Sequence, residues 1–228
     1  SVTGLVEPAM ASDGTKADNT DNLNLGTAWI GGVIPDATGW GIWDSTLTAE
    51  RGADLGADAT WGGVKVTSAA YKGTISATAG QSLTLTGIGG IGIDMSQACA
   101  DFAVASPLTL GSSQTFAVTN ARTLTISGAI GDGNNRYVLT KQGGGTLALN
   151  GTNTYSGGTT LNGGLLAISN ANALGTGPLT VNVAAGGTWG DTSNAVFLAV
   201  FNNDAVSLTN AIALPASSTA KTCATCRP

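Results

Sequence analysis

The sequence predicts an all-β protein and, within that class, a right-handed parallel β-helix, or β-solenoid. Short runs in which aliphatic and hydroxyl residues alternate recur along the chain, and a glycine or asparagine separates them every few residues. This spacing suits strands and turns and is too short for helices. Glycine makes up 34 of 228 residues, about twice its usual share of about 7%. No Gly-X-Y period is present, so the excess glycine indicates turns rather than collagen.

The alternating runs predict strands whose aliphatic residues point inwards and whose threonines and serines point outwards. When such coils stack, the backbone of each pairs with the coils before and after it at a spacing of about 4.8 Å, and threonines align in ladders outside. The runs are unevenly spaced, which predicts coils of unequal length. The clearest runs are residues 64–66, 73–76, 82–87, 107–111, 115–118 and 123–128.

Residues 137–169, YVLTKQGGGTLALNGTNTYSGGTTLNGGLLAIS, show the pattern most clearly. This stretch closely resembles the passenger-associated β-strand repeat of bacterial autotransporter-like surface proteins. The pattern of that repeat, GxGTLxLxGxNTYxGGTTxNxGxL, is filled almost position for position by residues 143–165. The similarity is strong over about 61–183 and weak in the flanks. It implies a β-solenoid that is secreted, extracellular or on the cell surface, and it implies no particular activity.

The sequence divides into an irregular N-terminal cap at 1–60, a β-solenoid at 61–214 and a cysteine-containing tail at 215–228. Trp29, Trp40 and Trp43 lie among glycines in the first part. A solenoid has unpaired strand edges at both ends, so an irregular, tryptophan-rich cap is the structural expectation. Because indole faces also suit sugar rings, a platform on which a glycan stacks is the alternative role of these three tryptophans.

Residues 196–201, VFLAVF, are the most apolar run in the chain. Six consecutive apolar residues without a charge are typical of a strand that is buried on both faces, or of an edge that another chain covers. We therefore predict that this run lies at an intermolecular or cap-to-rod contact. The residues proposed for that contact are Val196, Phe197, Leu198, Val200 and Phe201.

The chain has three cysteines, an odd number for an exported protein, in which a disulfide and one further thiol are expected. Cys223 and Cys226 form a CxxC without the βαβ context of a redox site or the following histidine of a haem attachment site. Three cysteines without any histidine cannot complete a zinc site unless a carboxylate joins them. We expect a disulfide among Cys99, Cys223 and Cys226 that holds the C-terminal end.

The sequence offers little for catalysis. No histidine is present, which excludes Ser-His-Asp and Cys-His arrangements. Asp94, Asp101 and Asp132 lie at corners, where we expect them to accept hydrogen bonds from nearby backbone N–H groups. Residues 89–94 match the opening of a calcium-binding repeat only once, whereas that site is shared between successive turns. We predict that the protein is not an enzyme and binds no metal or cofactor.

The net charge is −5, and neither sign is clustered. A nucleic-acid partner would require a basic stripe, and a transmembrane helix would require about 18 consecutive apolar residues; the sequence has neither. Two functions remain. The first is a structural protein whose partner is itself, assembled into a fibre, sheath or surface layer. The alternative is a monomeric adhesin-like module that binds cell-surface glycans.

Overall fold

The protein is described by a computed structural model over residues 11–182, 196–200 and 208–214, without the side chains of Val196, Phe197 and Val200. Within these ranges the chain forms twenty short β-strands, β1 to β20, and two single turns of 3-10 helix, η1 (Gly26–Ala28) and η2 (Ile30–Gly32). The paired strands are parallel throughout and fall into three sheets.

Sheet 1 has nine strands in the described ranges, and their spatial order is their order in the chain. They are β1 (Gly14–Thr15), β2 (Trp40–Trp43), β5 (Gly63–Val66), β8 (Ile91–Met95), β11 (Gln114–Val118), β14 (Leu139–Gln142), β16 (Thr159–Leu161), β18 (Leu179–Val181) and β20 (Ile212–Ala213).

Sheets 2 and 3 have seven and four described strands, again in chain order. Sheet 2 contains β3 (Arg51–Asp54), β6 (Gly73–Ser76), β9 (Phe102–Val104), β12 (Thr123–Ile126), β15 (Thr146–Leu149), β17 (Gly164–Ile168) and β19 (Val196–Val200). Sheet 3 contains β4 (Ala59–Trp61), β7 (Leu83–Leu85), β10 (Leu108–Leu110) and β13 (Ile130–Gly131).

The chain visits sheet 1, sheet 2 and then sheet 3 in each of the first complete coils, so the three sheets enclose one core. The predicted parallel β-helix is therefore confirmed. Coil length varies, as the uneven spacing of the runs predicts. Leu139 pairs with Thr159, and Thr159 with Leu179, which gives two coils of 20 residues. Val64 pairs with Ile93, which gives a coil of 29 residues.

The alternation of side chains is as the sequence predicts. On sheet 3, Thr60, Thr84 and Thr109 stand in one register and point outwards. Their neighbours Leu83 and Leu108 point inwards and are buried. Like residues therefore stack on like residues, and the core is a set of parallel aliphatic rows that runs through the coils.

The regular stacking begins before the predicted boundary at residue 61. β1 already pairs with β2, and β2 with β5, while β3 and β4 open sheets 2 and 3. The strand β2 in this stretch has the sequence Trp-Gly-Ile-Trp, without the alternation of leucine and threonine that marks the later strands. The predicted tail at 215–228 lies outside the described residues.

The third side of the solenoid changes after β13. In the next coil Asn153, which is 2% exposed, takes the place of a strand. Its Oδ1 accepts a hydrogen bond from the N–H of Ile130 (2.8 Å), and its Nδ2 donates to the carbonyl oxygen of Ala173 (2.6 Å). One buried amide therefore joins the preceding coil to the following one and satisfies a backbone group of each.

Candidate functional site

The N-terminal end of the core is closed by Trp29. Its ring centroid lies 5.8 Å from that of Trp43 and 5.5 Å from that of Trp61, both in edge-to-face geometry. Its Nε1 donates to the carbonyl oxygen of Leu23 (2.8 Å). Edge-to-face packing favours the contact between aromatic rings, and the hydrogen bond satisfies the one polar atom of the buried indole.

The backbone around Trp29 covers the first strand edge of sheet 2. The N–H of Leu23 donates to the carbonyl oxygen of Asp54 (2.8 Å), and the N–H of Asn24 donates to that of Leu55 (3.1 Å). Arg51 and Asp18 add an ion pair, with Nε 2.7 Å from Oδ1. The segment thus acts as a cap that removes part of the edge from solvent.

Lys16 lies inside this cap with its side chain buried. Its Nζ donates to the carbonyl oxygens of Ala17 (2.8 Å) and Asn19 (2.9 Å) and to Oδ1 of Asn19 (2.8 Å). Burial lowers the pKa of Lys16, and the nearby carboxylate of Asp21 opposes that shift. Through these hydrogen bonds the ammonium group of Lys16 stabilises the turn after β1, and the turn encloses the ammonium group.

The burial of the tryptophans corrects one prediction. Trp29 and Trp43 are 2% and 0% exposed, so no ring face is available for a sugar, and the stacking role does not hold for them. Trp40 differs because it points outwards from β2 and is half-buried. Its indole lies against Gly63, and the Nζ of Lys65 lies 5.8 Å from the ring centroid.

Exposed large hydrophobic side chains are concentrated at the two ends of the solenoid. In the described ranges there are eight, and seven belong to two groups. The N-terminal apolar group, on and beside the cap, consists of Leu25 (48% exposed), Ile30 (50%), Val33 (42%) and Ile34 (40%). The C-terminal apolar group consists of Leu198 (38%), Ile212 (53%) and Leu214 (46%). The eighth residue is Tyr71, in the turn between β5 and β6.

The apolar run at 196–201 forms β19, the last described strand of sheet 2, and pairs with β17. Leu198 is in register with the buried Leu166, so it continues an inward-facing row. No described strand follows it in that sheet, and this leaves its side chain partly exposed. Phe201 lies outside the described residues, as do the side chains of Val196, Phe197 and Val200. The predicted contact at this run stays a prediction.

A lysine in the core was not predicted from the sequence. Lys141 is fully buried and lies in register between Phe116 and Leu161 in an inward-facing row. Its Nζ donates to the carbonyl oxygens of Gln142 (3.1 Å), Gly143 (2.5 Å) and Gly163 (3.1 Å). Burial lowers the pKa of Lys141 to about 8. The side chain ties its own corner to that of the next coil.

The three carboxylates at corners make the hydrogen bonds expected of turn residues. Asp94 accepts from the N–H of Ser96 (2.9 Å), and Asp101 from the N–H of Thr123 in the next coil (2.8 Å). Oδ2 of Asp132 accepts from both the N–H and the hydroxyl of Ser156. Burial of Asp132 opposes its ionisation, but these and other backbone hydrogen bonds outweigh it and lower the pKa of the carboxyl group.

The remaining candidate groups are few. Cys99 is exposed and has no disulfide partner among the described residues, and Cys223 and Cys226 lie outside them. Across residues 11–182, 196–200 and 208–214, no three His, Cys, Asp or Glu side chains are grouped closely enough to hold a metal ion. The helical turns in those same ranges are too short to span a membrane.

The buried side chains of Lys141 and Asn153 join coils of this capped parallel solenoid, whereas the buried Nε1 of Trp43 and Oγ of Ser106 have no hydrogen-bond partner among the described residues. The passenger-associated-transport-repeat family matches residues 139–168, the segment from β14 to β17 that contains Lys141 and Asn153. No solved structure matches the chain.

The chain is also 31% identical over 156 residues to the adhesin BmaC autotransporter of Brucella suis biovar 1 (strain 1330). This match covers 68% of the chain and 4% of the relative, so the chain spans only a small part of that protein's length. The chain is thus similar to autotransporter passengers and carries one of their transport repeats. Together with the fold, this supports a bacterial protein exposed at the cell surface or secreted.

Proposed function

We propose that the chain is a non-enzymatic structural segment of an extracellular protein and that its solenoid associates end to end with further copies, into a fibre, sheath or surface layer. The distribution of exposed hydrophobic side chains carries this proposal. Seven of the eight in the described ranges lie at the two ends of the solenoid. Exposed apolar groups gathered in one place mark surfaces that another molecule covers.

The two apolar groups lie at opposite ends of the same coil axis. A contact between the N-terminal group of one copy and the C-terminal group of another uses two different surfaces. Such a head-to-tail contact does not close on itself unless the copies form a ring, so it produces an open filament. The cap covers the strand edge beside Leu23, so side-chain packing rather than strand addition would make the contact there.

The non-enzymatic part of the proposal is supported by the hydrogen bonds of three charged side chains. Lys16 and Lys141 direct their Nζ atoms at backbone carbonyl oxygens, and Asp132 accepts hydrogen bonds at a corner. These groups are engaged in holding turns and are enclosed by the chain.

Variants at the two ends, with a matched exposed residue elsewhere, test end-to-end association. Ile30→Asp and Ile212→Asp change one residue of each apolar group, and Tyr71→Asp is the control. Light scattering after size exclusion and electron microscopy should show wild-type assemblies that grow with concentration. Each end variant should reduce them, and Tyr71→Asp should not. Wild-type protein that stays monomeric at high concentration and does not change with time would refute the proposal.

A second function is favoured by two observations. The related Brucella protein is named an adhesin, and Trp40 presents a half-buried indole on the outer face of sheet 1, close to Lys65. These support an adhesin-like module that binds glycans as a monomer. A glycan array would show binding by the wild-type protein, and an array without any binding would exclude this function.

A further inference from the structure

The outer face of sheet 2 carries a groove that crosses β12, β15 and β17. Its volume is about 520 Å³. One wall is the row Thr123, Thr146 and Leu165, whose members are in register on the three strands. The floor is formed by Ala148 and Ala167, which are also in register. Asn150 and Ser169, just beyond the ends of β15 and β17, form the other wall.

The groove arises from an alternation of side-chain size along each strand. Outward-pointing residues are two apart in a strand, so Thr146 and Asn150 flank Ala148 on the same face. Ala167 lies on the outward side of β17 but is only 2% exposed, so the accessible methyl group of the floor is that of Ala148. Thr125 takes the place of alanine in the preceding coil, and its larger side chain raises the floor there.

The lining has no charge, and some of its polar side chains have no partner among the described residues. None of the residues that line the groove is Asp, Glu, Lys or Arg. The hydroxyls of Thr123 and Thr146 and the amide of Asn150 make no side-chain hydrogen bond with any described residue, whereas the backbone groups of these strands are paired within the sheet. Donors and acceptors therefore line the walls, and the methyl group of Ala148 lies on the floor between them.

We propose that this groove binds a neutral oligosaccharide that lies along the solenoid axis. Sugar rings combine apolar C–H faces with hydroxyl groups, and these match the alanine floor and the threonine and asparagine walls. The lack of charge disfavours acidic glycans and anionic lipids. The wall residues repeat once per coil, at about 4.8 Å, which suits an elongated ligand, and the volume lies in the range of about 300–1,000 Å³ usual for ligand sites. An extended peptide would require an unpaired strand edge, which the face of a sheet does not offer.

This proposal rests on the glycan-binding function proposed above, and it places the glycan in the groove rather than at Trp40. Ala148→Arg fills the groove with a long side chain, and Asn150→Ala removes one wall group at an exposed position where folding is not at risk. Thr160→Arg places the same large residue on the outer face of sheet 1 as a control, and Trp40→Ala tests the other platform. Circular dichroism of each variant confirms that it is folded.

Binding is measured by isothermal titration calorimetry with cellotetraose, laminaritetraose, maltotetraose and mannotetraose, and with tetragalacturonate as an acidic comparison. We expect the wild-type protein to bind at least one neutral tetrasaccharide more tightly than tetragalacturonate. Ala148→Arg should weaken that binding at least about tenfold and Asn150→Ala about threefold to tenfold, whereas the control Thr160→Arg should leave it unchanged.

Three results would contradict the proposal that the groove binds a neutral oligosaccharide. Binding that survives Ala148→Arg and is lost in Trp40→Ala would place the glycan on the tryptophan and leave the glycan-binding function intact. A preference for tetragalacturonate would contradict the neutral ligand class. No binding of any of these sugars by the wild-type protein would refute the groove site for this ligand class, while the glycan array decides the wider function independently.

Discussion

Lys141 and Phe116 occupy equivalent positions in adjacent coils, in register on one inward-facing row of sheet 1. In this row the charged side chain of Lys141 therefore lies between a phenyl ring in the preceding coil and Leu161 in the next coil. Burying an ammonium is costly unless it is hydrogen-bonded. Three carbonyl oxygens, two from its own corner and one from the next, supply those bonds.

The buried lysine predicts a pH dependence of stability. The pKa of Lys141 is about 8 in the folded protein against an ordinary value of 10.5, so between these values the unfolded chain binds more protons. The free energy of unfolding should therefore rise as the pH increases from 8 to 10.5, by up to about 3 kcal/mol. Denaturant unfolding of the wild type and of Lys141→Met, compared at each pH, isolates this contribution. Parallel pH profiles for the two proteins would contradict it.

The cap predicts different costs for two tryptophans. Trp29→Ala removes a ring packed between Trp43 and Trp61, so we expect it to lower the free energy of unfolding by about 3–5 kcal/mol. Trp40→Ala removes a half-buried ring from the outer face and should cost less. Chemical denaturation followed by far-UV circular dichroism measures both. Equal losses of unfolding free energy in the two variants would contradict the role of Trp29 in closing the N-terminal end of the core.

A corner glycine predicts a steric effect with a matched control. A Cβ at Gly145 would lie within 3 Å of the carbonyl oxygens of Thr119 and Arg122, so Gly145→Ala forces the stacked corners apart. We expect a loss of about 1–3 kcal/mol. A Cβ at Gly52 would meet nothing within 4 Å, and Gly52→Ala should be nearly neutral. Thermal unfolding of both variants checks the difference, and a neutral Gly145→Ala would refute the close contact.

The amide that bridges three coils gives a further prediction. Asn153→Ala leaves the N–H of Ile130 and the carbonyl oxygen of Ala173 without their partner, which should lower the free energy of unfolding by about 1–3 kcal/mol. Asn150 is exposed and its side chain bridges no coils, so Asn150→Ala is the control. Hydrogen exchange should also quicken at Ile130 in the first variant alone. Unchanged exchange there would contradict the bridging role.

Much of the fold follows from local pattern. The aliphatic and threonine alternation at 82–87 and 107–111 is enough to predict inward leucines, outward threonines and stacked coils, because a strand has a period of two residues and a solenoid places equivalent positions in register. The turns are likewise marked by their glycines. These features depend on neighbours in the sequence and on a single repeated geometry.

Other features depend on partners far away in the chain. The tryptophans and the glycine of β2 hide its strand period, and the contact of Trp29 with Trp61 joins residues that no local pattern links. Lys141 has a signal that could have been used. It stands two residues after the inward-pointing Leu139, so the strand period alone places it inside. The groove required the register of three strands, which the sequence does not give.

The change on the third side after β13 has a mechanical consequence. In the described part of the chain, sheets 1 and 2 run on to β20 and β19, while sheet 3 ends at β13. Beyond that point the third side is joined by side-chain amides such as Asn153 and Asn170 and by scattered backbone bonds. Because the third side lacks a continuous ladder there, we expect such a rod to be more compliant along that side than along the other two. Under load it should bend and begin to unwind on that side, in its C-terminal half.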